Sequence, residues 1–190
     1  MKPYPDLYIL RHGQTEWNAT GRLQGHYDSA LTALGTAQAT AQHDILRQRD
    51  LTGFRAFSSP QGRAFRTAGI ALSGLIANIT TDEALSEIGL GEWAGAEREP
   101  LMTAHGTRDG FALYELAPNG EGFAALQARC AEFLDRLQGP AVLVTHGITS
   151  RMIRLILSDQ PLSYLPEIGG GQGVVYYFAQ GSRKQMKFQA

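Results

Sequence analysis

The sequence predicts an α/β fold, a three-layer α/β/α sandwich around a mostly parallel central sheet with an antiparallel edge strand. Three observations carry the prediction. Short apolar runs alternate with helix-period segments along the chain, the pattern of consecutive βαβ units. Two of the runs, Leu7-Tyr8-Ile9-Leu10 and Val142-Leu143-Val144, lead into a His-Gly pair, and open α/β sheets bind ligands beyond the carboxyl ends of their strands. The last two segments, Val174 to Ala179 and Lys184 to Phe188, flank Gln180-Gly181-Ser182 and read as a hairpin.

Leu7 to Leu10 is the first strand. Thr32 to Arg49 reads as a helix with Thr32 as N-cap and an apolar face of Ala33, Leu34, Ala37, Ala41, Ile45 and Leu46. Ala56 to Ser58 is a short strand ending in Ser59-Pro60, and a helix follows from Gln61 to about Ser73. Ala77 to Thr80 reads as another strand, with Leu85 to Gly91 leading back across the strand ends. Glu121 to Leu137 is a helix, Ala141 to Thr145 a buried strand, and Ile148 to about Leu157 a helix again. Gly169-Gly170-Gly171-Gln172-Gly173 is not a nucleotide-binding loop. It lacks the Gly-Lys-Ser/Thr ending and precedes a strand, not a helix.

A chain of 190 residues fits one domain, 1–190, with a sizeable core. A net charge of −1 gives no global attraction to nucleic acid or anionic membranes, so any anion site must be built from local arginines. The single cysteine, Cys130, excludes an internal disulfide and reads as a packing residue in a helix. The first residues do not lead into a signal-peptide core, and no apolar run is long enough to span a bilayer. The expectation is a cytoplasmic protein, with Asn18-Ala19-Thr20 and Asn78-Ile79-Thr80 as chance glycosylation patterns.

The chemistry concentrates in Leu10-Arg11-His12-Gly13-Gln14-Thr15-Glu16-Trp17-Asn18. Arg11 offers a planar fork of donors to an anion. His12 is a nucleophile or base near neutral pH. Gly13 permits a sharp turn and close backbone approach. His146-Gly147 repeats the arrangement at the end of a distant strand.

Four blocks resemble the histidine phosphatase superfamily, which includes the cofactor-dependent phosphoglycerate mutases. They are Arg11-His12-Gly13 through Asn18, Ser58-Ser59-Pro60 through Arg63 to Thr67-Ala68, Leu85-Ser86-Glu87 through Gly91-Glu92-Trp93, and Thr145-His146-Gly147. They occur in the family's order and span most of the chain. The resemblance implies a phosphoglycerate mutase-like fold and places a substrate-lid insertion around 97–119.

The resemblance also implies roles. His12 attacks phosphorus and carries it as phosphohistidine; Arg11 and Arg63 grip the phosphoryl oxygens; His146 donates to the phosphoryl group; Glu87 protonates the leaving oxygen. Asn18 is placed to hydrogen-bond a phosphoryl oxygen, and Gln24 is a weaker substrate contact, with Arg22 at the rim. These roles are physically coherent. Phosphoryl transfer needs a nucleophile, positive charge on the equatorial oxygens and a proton for the leaving group. Positive neighbours keep the His12 imidazole neutral. Arginines serve as the charge stabilisers, so neither a metal nor a cofactor is expected.

The remaining candidates have plain structural readings. His26, His43 and His105 read as surface or structural residues, and Arg47, Arg49, Arg129 and Arg136 as solvated charges. Arg66 shares a helix face with Arg63 and reads as a structural partner. Trp17 and Trp93 read as packing residues, and Glu92 as structural. Two positions depart from the family pattern: Ala94 stands where many phosphatases carry Glu, and Gly122 where a Gly-Glu-Ser segment has Ser.

The leading function is therefore a phosphomonoesterase acting on a small phosphorylated metabolite. Its nearest types by pattern are the alpha-ribazole phosphatases and the broad-specificity acid or neutral phosphatases. A phosphoglycerate mutase ranks below it, because the 97–119 span carries only Arg98 and Arg108 as permanent cations. A non-catalytic phospho-ligand module ranks lower still, because His12, Arg63, Glu87 and His146 occur together. The same lid composition predicts a pocket that is not strongly basic. A homodimer is left open.

Overall fold

The computed structural model describes residues 4–107, 110–179 and 182–188. In chain order the main elements are β1 (Leu7–Arg11), α1 (Glu16–Ala19), α2 (Ala33–Leu46), β2 (Arg55–Ser58), α3 (Gly62–Ala71) and β3 (Ile79–Thr81). They continue with α4 (Arg98–His105), α5 (Leu113–Leu116), α6 (Gly122–Arg136), β4 (Ala141–Thr145), α7 (Gly147–Leu157), β5 (Val174–Ala179) and β6 (Ser182–Lys187). Short 3₁₀ turns lie at Glu83–Leu85, Gly91–Trp93 and Leu162–Glu167. No helix among the described residues is long and apolar enough to cross a membrane.

The sheet order is β3-β2-β4-β1-β5-β6. The first four strands are mutually parallel, β5 runs antiparallel to β1, and β6 returns antiparallel along β5. The antiparallel edge is the hairpin expected from the sequence; Gln180-Gly181 lies outside the described residues.

Alternation along β1 explains the three layers. Leu7 and Ile9 point to one face, where they pack with Phe57, Leu143 and the apolar stripes of α6 and α7. Tyr8 and Leu10 point to the other, with Val142, Val144 and residues of α2 and α3. Strands covered by helices on both faces read as near-continuous apolar runs, as β1 does up to Leu10 and β4 up to Val144.

The predicted apolar face of α2 is corrected. Its buried residues are Gly35, Ala39, Gln42, Ile45 and Leu46, while Leu34 is 53% exposed. The helix turns this face inward because it must serve the loop after β1. A Cβ on Gly35 would collide with the Gln14 carbonyl oxygen, and one on Gly13 with that of Gly35. Gln42 donates to the carbonyls of Arg11 and Val174 at 2.9 and 3.0 Å. Thr32 caps the helix as expected, accepting from the Gly35 amide at 3.0 Å, but the helix ends at Leu46, short of Arg49.

The 97–119 segment folds into α4 and α5 over a small core of its own, in which Leu23, Leu90, Trp93, Leu113 and Ala117 are buried. Arg108 lies outside the described residues. Hydrogen bonds from Leu23 N to Ala96 O and from Arg98 N to Gly21 O tie the segment to the loop after α1.

Candidate active site

The register of β1 on β4 builds the site. Arg11 pairs with Thr145, so the next residues, His12 and His146, leave the sheet side by side. Their ring centroids are 5.1 Å apart. β2 brings Ser59 alongside, its amide donating to Val144 O at 2.9 Å. The first turn of α3 then delivers Arg63.

His12 is buried, and its tautomer is dictated by its neighbours. Nδ1 lies 2.7 Å from the Gly13 carbonyl, which only accepts, and Arg63 Nε–H, which only donates, points at Nε2 from 3.3 Å. The ring is therefore neutral, protonated at Nδ1, with a lone pair on Nε2. Burial, followed by the charges of Arg11 and Arg63, holds His12 well below the ordinary imidazole value. The turn is fixed by the Gly13 amide donating to Thr67 Oγ1 at 3.1 Å, and Thr67 donates to Arg63 O at 2.8 Å.

His146 is fully buried. Its Nε2 lies 2.7 Å from Ser59 Oγ, and its Nδ1 has no partner within the protein. Burial and then Arg63 hold it too well below the ordinary imidazole value.

Arg63 is almost fully buried and heavily anchored. Nη1 donates to Tyr27 O and Asp28 Oδ1, and Nη2 to Gly25 O. One Nη2 proton, and the Nε–H that here donates to His12, remain for an anion. Arg11 differs: it lines the cavity and its buried Nε is unpartnered.

Glu87 is 8% exposed. Its Oε1 accepts from the amides of Ile88, Ile148 and Thr149 and from Thr149 Oγ1, all at 3.1–3.2 Å, whereas Oε2 carries only a bond from Ile148 N. One oxygen is thus fixed at the start of α7 and the other is freer to meet a ligand. Gln61 positions the segment, accepting from Glu87 N and donating to Gly25 O, each at 2.8 Å.

Arg11, His12, Arg63 and Glu87 line a cavity of about 260 Å³, whereas the fully buried His146 is not among its lining residues. Of the residues singled out in the sequence, Arg11, His12, Asn18, Arg22, Gln24, Arg63 and Glu87 line it, and Gly147 marks the His146 end. Asn18 Oδ1 accepts from Thr15 N and Gln172 Nε2. Gln24 is committed internally, to Thr15 Oγ1 and Ser29 Oγ.

The expectation of a weakly basic pocket is overturned. Five arginines line the cavity, namely Arg11, Arg22, Arg63, Arg98 and Arg151, against Glu87. Arg151 was hidden from the sequence reading because it lies on α7 after the recognised His-Gly block. Arg129 is not a solvated charge either. It pairs with Glu121 at 2.8 Å and donates to the carbonyls of Ala84 and Ser86, bracing the segment that carries Glu87. Arg66 is exposed and does not line the cavity.

His105 packs on Trp93, and His43 lies 3.3 Å from Ala71 O, both consistent with structural roles. Trp17 packs edge-on against Tyr27. Glu92 accepts from Asn119 Nδ2 at 2.9 Å. Burial pushes the Cys130 thiol up to about 12, leaving it a packing residue.

A model of the histidine phosphatase superfamily, branch 1, matches residues 7–185. The chain belongs to this superfamily. This superfamily member is 35% identical, over 156 residues, to a Salmonella paratyphi C protein named "probable phosphoglycerate mutase GpmB", covering 75% of this chain and 69% of the relative. Its fold resembles the alpha-ribazole phosphatase from Shigella flexneri, with a TM-score of 0.80, 25% identity and coverage of 97% and 96% of the two chains. It also resembles a mycobacterial glucosyl-3-phosphoglycerate phosphatase solved with VO3, with a TM-score of 0.76, 28% identity and 96% coverage of each chain.

Proposed function

We propose that this histidine phosphatase superfamily member is a phosphomonoesterase that hydrolyses a small phosphorylated metabolite through a phosphohistidine on His12. The observation that carries the reading is the forced tautomer of His12, which keeps an Nε2 lone pair in an arginine-lined cavity. In the first step Nε2 forms a bond to phosphorus while the ester oxygen–phosphorus bond breaks. Glu87 gives its proton to the leaving oxygen. Arg11, Arg63 and His146 hold the equatorial oxygens, with Arg63 Nε turning from the nitrogen to a phosphoryl oxygen as the bond forms.

In the second step the Glu87 carboxylate takes a proton from water. The resulting hydroxide attacks phosphorus, and the His12 nitrogen leaves with its lone pair. Phosphate is released and both residues return to their starting states. The arginines supply the positive charge, so the reaction proceeds without an added metal. The cytoplasm, expected from the sequence, is the proposed site of action.

The test is phosphate release from an aryl phosphate and a panel of phosphorylated metabolites in EDTA, with His12→Ala alongside. Release by the native protein that disappears in the variant supports the reading. No release from any ester contradicts it. The name of the 35%-identical relatives favours one second reading, a phosphoglycerate mutase. In that case the phosphoryl group would return to a sugar-acid hydroxyl and not to water, which product analysis distinguishes.

A further inference from the structure

The cavity holds more positive charge than one phosphoryl group uses. Arg63 is anchored on Asp28 at 3.0 Å, and Arg22 lies 3.7 Å from Glu97. Arg98 and Arg151 have no carboxylate within ion-pair distance among the described residues. They arrive from different elements, Arg98 at the start of α4 and Arg151 from the early part of α7. Both are close enough for Arg11 to feel their charge.

Each is braced on an aromatic ring. The Arg151 guanidinium carbon lies 5.5 Å from the Phe111 centroid, and that of Arg98 lies 5.4 Å from the Tyr114 centroid. Arg98 Nη2 also donates to Tyr114 Oη at 2.7 Å. Arg151 Nε is buried without a partner. Such bracing restricts the guanidinium groups to one side of the cavity wall. Both residues are half-buried, and two cations held side by side on the cavity wall without a carboxylate partner among the described residues repel one another, a cost that an anionic ligand offsets.

We propose that Arg98 and Arg151 form a second anion subsite, and that the substrate is a phosphomonoester whose leaving-group side bears another anionic group, a carboxylate or a second phosphate. The proposal rests on the phosphatase reading, which places the first phosphoryl group at His12.

The test compares kcat/KM for glycerol phosphate, which has one anionic group, with phosphoglycerate, which adds a carboxylate, and glycerol bisphosphate, which adds a phosphate. The expected result is a preference of at least about tenfold, equivalent to ~1.4 kcal/mol, for one or both of the doubly anionic esters. Arg151→Met and Arg98→Met keep apolar bulk and are expected to bring that ratio most of the way to one. The preferred ester identifies the second anion. Equal kcat/KM for all three, or a preference that survives both substitutions, overturns the proposal. Calorimetric titration of the same esters into His12→Ala reads the ratio as affinity, without turnover. A doubly anionic preference there supports the subsite even if hydrolysis fails, and equal affinities overturn it.

Discussion

Arg63 Nε donates to His12 Nε2 at 3.3 Å while His12 Nδ1–H donates to the Gly13 carbonyl. The residue that balances phosphoryl charge in the proposed reaction thus also fixes the nucleophile's protonation state before substrate arrives. The direct consequence is spectroscopic. Ring ¹⁵N shifts should show His12 neutral and protonated at Nδ1 at pH 6, below the ordinary imidazole value of 6.5. A charged ring at that pH would contradict this arrangement.

The two buried imidazoles also make stability depend on pH. His12 and His146 have folded values well below 6.5, while the unfolded chain titrates near the ordinary value. Above about pH 6.5 neither state takes up these protons, and they add no pH dependence. Below it the unfolded state binds more protons, so stability falls as pH falls, by up to about 1.4 kcal/mol per pH unit for each group. Denaturant titrations between pH 7 and 5.5 should show the loss, and a His12→Asn/His146→Asn double variant should flatten it. An equal slope in both proteins would assign the effect elsewhere.

Gly35 is the contact point between α2 and the loop carrying His12. A methyl group there meets the Gln14 backbone, which has no side-chain freedom to yield. Gly35→Ala should cost about 1–3 kcal/mol and depress activity by displacing the loop. A melt and an activity indistinguishable from the native protein would show that the helix can shift instead.

Ser59 Oγ lies 2.7 Å from His146 Nε2, and in the proposed reaction it positions that ring. Ser59→Ala should lower kcat by about tenfold, the scale of one hydrogen bond, with a smaller change in KM. Ser59→Thr, which keeps the hydroxyl, should recover most of the loss. Equal kcat losses in both variants would point to packing and not to orientation of the ring.

Much of this was legible in the sequence because strand ends and His-Gly pairs are local signals. β4 at Ala141–Thr145 and β5 at Val174–Ala179 fall where the apolar runs place them. The two histidines come together because their strands are neighbours in register, a relationship that the pattern of apolar runs anticipates but does not measure. The inward face of α2 was illegible because Gly35 and Gln42 are buried for contact and hydrogen bonding, not for hydrophobicity.

Arg129 and Arg151 were missed for a related reason. Each is a charged residue on an amphipathic helix, where solvation is the usual outcome. Only the tertiary structure shows Arg129 reaching the carbonyls before Glu87 and Arg151 turning into the cavity. Ser59 and Thr67 lay inside a recognised block, but their partners are 87 and 54 residues away.

The most direct test of the central claim is to trap the covalent intermediate. The protein is mixed with a phosphate ester, quenched in alkali, where phosphohistidine persists, digested and examined by mass spectrometry. The account predicts a phosphoryl group on the peptide containing His12, located on the ring and absent from the His12→Ala protein. Phosphate release with no labelled peptide, or with the label on another residue, would contradict it.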